Sequence, residues 1–409
     1  MATIRTGDPD AAAPAEPPRR GGIPRGLRRT GPALFSYGFR PFFLGAGVFA
    51  ALAMTLWVAA LAAGLPLGGD YGMAAWHGHE MLFGFGAAVL AGFLMTAIPN
   101  WTGQMPLAGP PLAALAALWL AGRAAMLAVP WIGALAAAAI DAAFLPALVV
   151  VCGRELVAGR KWRDMKILAA IAVVGLANIG FHAEVLTTGA AAISARVALA
   201  AFVLLIMIVG GRIVPSFTRN WLALRGETRL PVAFNRADGI AILATLAALL
   251  VWAAAPVGVP AAGATVAGAG VVAWRLSRWR GLATVAEPLL FVLHVSFAFV
   301  GLGFLGLAAG AVGWLPPAGA MHPMLVGGVA GMMLSVMTRA TRGHTRRELT
   351  ASRRTVASYA CLFGAALARP GADLFGAPSL LSLAGGLWIA AFGLFVAEYG
   401  PMLLGRRLS

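Results

Sequence analysis

Apolar residues in this chain gather into runs of roughly twenty, parted by short polar stretches. A run of that length covers about 30 Å of hydrocarbon when helical, so the pattern predicts membrane-crossing helices. Twelve are expected, over 42–64, 79–98, 107–128, 132–152, 166–188, 193–214, 238–255, 258–274, 287–310, 321–340, 354–370 and 380–403. The predicted fold is an all-α integral membrane bundle, with 34–409 as a single twelve-helix transmembrane domain. Residues 1–33, rich in Ala, Pro, Gly and Arg, read as a disordered basic cytoplasmic tail. The first apolar run begins at Phe42 and has no small-residue cleavage pattern behind it. It reads as an uncleaved helix, not a signal peptide.

Charge fixes the orientation. Only 11% of residues are charged, where a soluble domain carries about a quarter. The net charge of +16 could suggest nucleic acid, but its distribution argues for topology instead. All but three of the 31 Lys and Arg residues fall at or before Arg40, over 154–166, 212–236, 275–280 and 339–354, or at 406–407. With twelve helices these segments share one side. That side is expected to be cytoplasmic, placing both termini inside a bacterial inner membrane, with lipid as the surrounding partner and no role for nucleic acid. Arg123, Arg196 and Arg369 are the exceptions, near the opposite helix ends. They either snorkel to the interface or pair with carboxylates of a bound cofactor such as haem (heme) propionates.

Three predicted helix ends look alike. Met95-Thr96-Ala97-Ile98-Pro99-Asn100-Trp101 closes the second, Ile213 to Trp221 the sixth, and Met337-Thr338-Arg339-Ala340-Thr341-Arg342 the tenth. A recurrence every four helices predicts three four-helix units around a pseudo-threefold axis.

Titratable groups inside the apolar runs are the candidates for chemistry. His77 and His79 are expected at the outer mouth of the second helix, His322 at that of the tenth, and His182 at similar depth in the fifth. Imidazole is a common ligand of haem iron and of copper, so these four at one level suggest a metal or haem site. His294 lies on a different level and serves a second site or simply packs. His344 is expected in the loop after the tenth helix. Met73, Met81, Met321 and Met324 also fall near the mouths and offer thioethers, either as soft ligands for Cu(I) or as core filler. Asp141, near mid-helix, should be protonated, paired or in a water-filled path. Glu80 and Glu184, beside histidines, could orient a ligand or carry protons. Cys152 and Cys361 are isolated in apolar runs and make no CxxC site.

The motifs Tyr37-Gly38-Phe39-Arg40-Pro41-Phe42-Phe43, Trp76-His77-Gly78-His79-Glu80-Met81, Pro99-Asn100-Trp101-Thr102-Gly103 and Gly210-Gly211-Arg212-Ile213-Val214-Pro215-Ser216-Phe217-Thr218-Arg219-Asn220, with His322 and Thr338-Arg339, carry a resemblance to the NnrS family. That resemblance implies haem, copper and a part in the nitric oxide response and denitrification. Gly343-His344-Thr345-Arg346 departs from the family's His-Thr-Gly-Arg. The second helix is also similar, more distantly, to the haem-bearing helix of haem–copper oxidases, which implies His77 as an axial ligand and His322 as a second. No adjacent His-His pair follows on the seventh helix, so an oxidase-type three-histidine copper site cannot be assembled. The first expectation is therefore a haem- and copper-binding membrane protein that protects against nitric oxide. A secondary transporter, or a quinol-linked haem redox enzyme, is the alternative.

Overall fold

The computed structural model describes residues 31–407, and among these there is no strand. Most of the expected tail, residues 1–30, lies outside the described residues. Twelve long helical rods follow one another: α1 (Phe39–Ala63), α2 (Met73–Thr102), α3 (Pro110–Leu127), α4 (Ala134–Ala158), α5 (Met165–Thr188) and α6 (Ile193–Ala223) form the first half. The second half holds α7 (Arg236–Ala254), α8 (Val259–Ser277), α9 (Pro288–Ala311), α10 (Pro317–His344), α11 (Arg353–Leu374) and α12 (Ser379–Leu404). A single helical turn, Val129–Ile132, links α3 to α4. Eleven rods are long and apolar enough to cross a membrane, so the chain is a multi-pass membrane protein. The twelfth, α11, carries Ser358, Tyr359, Arg369 and Asp373, which dilute its apolar run; it still packs along α10 and α12.

Several ends differ from expectation. The second rod begins at Met73, which places His77 and His79 inside the helix. The sixth runs on to Ala223 and the tenth to His344, so His344 ends a helix instead of sitting in a loop. Pro215 reads as a stop because proline removes a helical donor. Here the carbonyl it leaves without that donor, Gly211 O, accepts from Arg275 Nη2 at 3.4 Å, and the helix continues.

Neighbouring rods pack in sequence, and α12 packs back on α1 to close the ring. Inside that ring α2, α6 and α10 touch one another. Their apolar stretches are 83%, 61% and 72% buried, against 28% for α1 and for α8. Each of the three central rods also contains a π-helical segment: Glu80–Gly86, Ile206–Gly210 and Pro323–Ala330. Such segments are rare and often functional. Their recurrence every four helices is the structural counterpart of the repeated helix ends in the sequence. Two of them have a carbonyl taken up from a neighbouring rod. Trp119 Nε1 donates to Gly84 O at 2.9 Å, and Arg275 Nη1 donates to Met207 O at 2.9 Å.

Candidate metal centre

One polar knot lies in the apolar interior, toward the arginine-poor end of the bundle. From Met73 to His79, α2 descends about 9 Å, and Asp141 lies at comparable depth on α4. The helix breaks at Ala143 just below Asp141, where Pro146 withholds a donor from the turn above. From α5 come Asn178 and His182, four residues apart and so on one face. His79, Asp141 and His182 each present one ligand atom, and these atoms lie within 4.8 Å of one another. All three side chains are buried.

The hydrogen bonds settle which nitrogens are available. Glu80 is ion-paired with Arg123 Nη1 at 2.6 Å, so its carboxylate can only accept, and His79 Nδ1 must donate to it at 2.7 Å. That leaves His79 Nε2 facing Asp141 Oδ2 at 3.1 Å and Asn178 Oδ1 at 3.0 Å. Asn178 Nδ2 donates to Asp141 Oδ2 at 2.9 Å, which fixes its amide oxygen toward the imidazole. A nitrogen lone pair aimed at two acceptors is repulsive unless a proton or a cation stands between them. His182 reaches the same Asp141 Oδ2 through Nε2 at 2.9 Å, while its Nδ1 meets the Tyr71 hydroxyl at 2.6 Å. Burial pushes the Tyr71 phenol up to about 12, so it remains a hydroxyl at any physiological pH. Both imidazoles thus have one nitrogen held from outside and the other aimed at one carboxylate oxygen, which is how ligating histidines are oriented in proteins.

Charge points the same way. Glu80 and Asp141 are both paired with the single guanidinium of Arg123, whose Nη2 contacts Asp141 Oδ1 directly. With neutral imidazoles, two carboxylates and one guanidinium leave a net negative charge in a medium of low dielectric, which is costly. A bound cation offsets it. Two imidazoles and a carboxylate suit a first-row transition metal. The knot is tight enough to exclude side chains nearby: a Cβ on Gly84 would come to 2.6 Å from Arg123 Nη1, and one on Gly122 to 2.8 Å from Asp141 Oδ1.

The NnrS protein family model matches residues 33–407. The chain belongs to the NnrS family. No curated protein matches it. Of the NnrS-like motif around the start of α2, His79 and Glu80 enter the knot whereas His77 does not. His77 lies toward α1, its ring stacked on Trp57 with centroids 4.4 Å apart, and its Nδ1 is buried with no hydrogen-bond partner. It sits within electrostatic reach of His322 and Arg369. His322 Nδ1 meets Ala318 O at 2.5 Å. The expected single cluster of four histidines does not form: His79 and His182 share the knot, while His77 lies outside it, within electrostatic reach of His322.

The remaining candidates separate clearly. Arg123 pairs with Glu80 and Asp141, not with an outward-facing cofactor carboxylate. Arg196 Nε donates to Ala253 O at 2.9 Å and so caps α7. Glu184 caps α6, accepting from the backbone of Ala192, Ile193 and Ser194 and from Ser194 Oγ. It takes no part in orienting His182. His294 bonds Thr218 Oγ1 at 2.8 Å beneath Trp279, outside the knot. His344 packs its ring 5.5 Å from those of Tyr37 and Phe39. Met81 packs partly buried against the apolar core. In the NnrS-like Tyr37–Phe43 stretch, Arg40 is buried and Nη1 donates to Leu403 O at 2.8 Å and Gly405 O at 2.6 Å, tying α1 to the end of α12. Sequence reading missed Asn178, Tyr71 and Trp119. Asn178 was within reach, one turn from His182 on the same face; Tyr71 joins from the loop before α2, and no spacing announces it.

Proposed function

We propose that this protein binds a transition metal ion, copper in the NnrS reading, on His79, Asp141 and His182, together with a haem, and serves the cellular response to nitric oxide from the bacterial inner membrane. The arginine-rich loops face the cytoplasm and the metal centre lies nearer the opposite surface. The observation that carries the metal assignment is His79 Nε2, aimed at two oxygen acceptors with its Nδ1 already committed to Glu80. The haem assignment rests on His77 and His322. The buried, unpartnered Nδ1 of His77 is a free donor atom. His322 has Nδ1 engaged by a backbone carbonyl, which leaves Nε2 to act as ligand. His77 and His322 would hold the haem iron, and Arg369, already paired with Asp373, lies within electrostatic reach of His77. A bound haem iron supplies a site that binds nitric oxide. The chain's own residues hold the imidazoles in one tautomer, exclude water by burial and balance charge through Arg123.

The test is metal analysis and optical spectroscopy of purified protein. His79→Ala and Asp141→Asn should lose the metal and keep the Soret band; His77→Ala and His322→Ala should lose the Soret band and keep the metal. Full metal and haem content in all four variants would discard both assignments.

A further inference from the structure

Where α2, α6 and α10 meet, below the metal centre, the packing leaves a cavity of about 80 Å³. Val89 and Leu90 of α2, Ile206 and Val209 of α6, and Met332 and Val336 of α10 form its walls, with every other lining residue apolar or glycine. Interiors of proteins are close-packed, and a void needs only about 10–15 Å³ to admit a water. This one has ample room, but water would find none of the two to four polar partners it requires. An apolar space of this kind stays dry and takes small apolar guests.

Its position is specific. Phe202, one wall, lies against Gly86, the last residue of the π segment whose first residue is Glu80. One of the three π segments borders the space, through Ile206, Val209 and Gly210 of α6, and Phe202 links the space to the end of the α2 segment at Gly86. Phe93, Val209, Ile213, Met333 and Val336 are only partly buried, so the cavity is not sealed. A charged or hydrogen-bonding ligand has nothing to bind here, and a helix or an extended chain is far larger than the volume.

We propose that this cavity is a docking site for a small uncharged molecule of diatomic size, the chemical class that includes nitric oxide. It stores such a guest in the bundle interior on the far side of the π segment from the metal. The choice of guest rests on the nitric oxide reading; the existence of the site does not. The probe is xenon, applied under pressure to crystals of the purified full chain. Xenon density is expected between α2, α6 and α10, and is lost in Val89→Phe and, from the opposing wall, in Val209→Phe. Metal content should be unchanged in both variants, so a failed metal assignment and a failed cavity give different results. Absence of xenon there in the unaltered protein, its persistence in both filled variants, or a lipid acyl chain occupying the space would each overturn the proposal.

Discussion

His77 and His79 stand two residues apart on α2 and live in opposite circumstances. His79 has both nitrogens engaged, in a knot where carboxylates, amide and guanidinium answer one another. His77 has a buried nitrogen with no partner, a tryptophan face against its ring, and another histidine within electrostatic reach. The helix explains the split. Successive residues turn by about 100°, so positions two apart point to nearly opposite sides, whereas three or four apart share one. Depth alone grouped the histidines; direction separates them. The two histidines therefore differ in kind: His79 sits in a knot of buried charges that a bound cation would complete, and His77 keeps a buried nitrogen without a partner.

The largest effect expected from breaking this contrast is on stability. Arg123→Met leaves two buried carboxylates without a countercharge and should cost about 3–5 kcal/mol, read as a lower midpoint of thermal unfolding in detergent. Arg369→Met removes the partner of Asp373 in a pair that is about one-fifth exposed, and should cost at most about 1 kcal/mol. Equal losses at the two positions would erase the distinction between the regions. Next in size, Gly84→Ala and Gly122→Ala push a methyl into the knot and should each cost about 1–3 kcal/mol, since both neighbours are pinned by ion pairs. An unaltered melting curve for either would mean the knot has slack. A third test exchanges roles: His79→Ala should abolish metal uptake while His77→Ala leaves it intact, checked by metal titration of the purified protein.

The smallest effect concerns pH. The Tyr71 proton is held more tightly in the folded state than in the unfolded one, where phenols lose it near pH 10. The resulting stability is fully present below pH 10 and is lost as pH rises toward 12. Tyr71→Phe should therefore flatten the fall in stability across that window. A slope identical to that of the unaltered protein would remove Tyr71 from the account.

Much of the bundle was legible beforehand. Runs of twenty apolar residues can satisfy their backbone in lipid only as helices, so the number of rods followed from length and composition. The recurrence of helix ends in α2, α6 and α10 pointed to a threefold repeat, though not to these rods lying at the centre. The continuation of α6 past Pro215 was not legible, because donation by Arg275 to the freed carbonyl is a tertiary event. The π segments were equally hidden, since nothing local in Glu80–Gly86 or Ile206–Gly210 distinguishes them from ordinary helix. Asp141 and Glu80 were legible as costly groups in need of partners. Their partner Arg123 was expected to snorkel to the interface or meet a cofactor carboxylate because it lies near a helix end, and nearness to an end says nothing about which side a residue faces.

Arg40 carries a consequence for biosynthesis. Its guanidinium is buried and bonds carbonyls at the far end of the chain, Leu403 and Gly405. Helix α1 enters the bilayer first and α12 last, so for nearly the whole of synthesis Arg40 has no acceptor and must wait at the water-facing margin. Completion of the barrel-like ring is thereby reported by one residue: only a chain whose final helix has arrived can draw that cation inward. Truncation before Met402 should yield a membrane-inserted product open to proteases along the α1 seam.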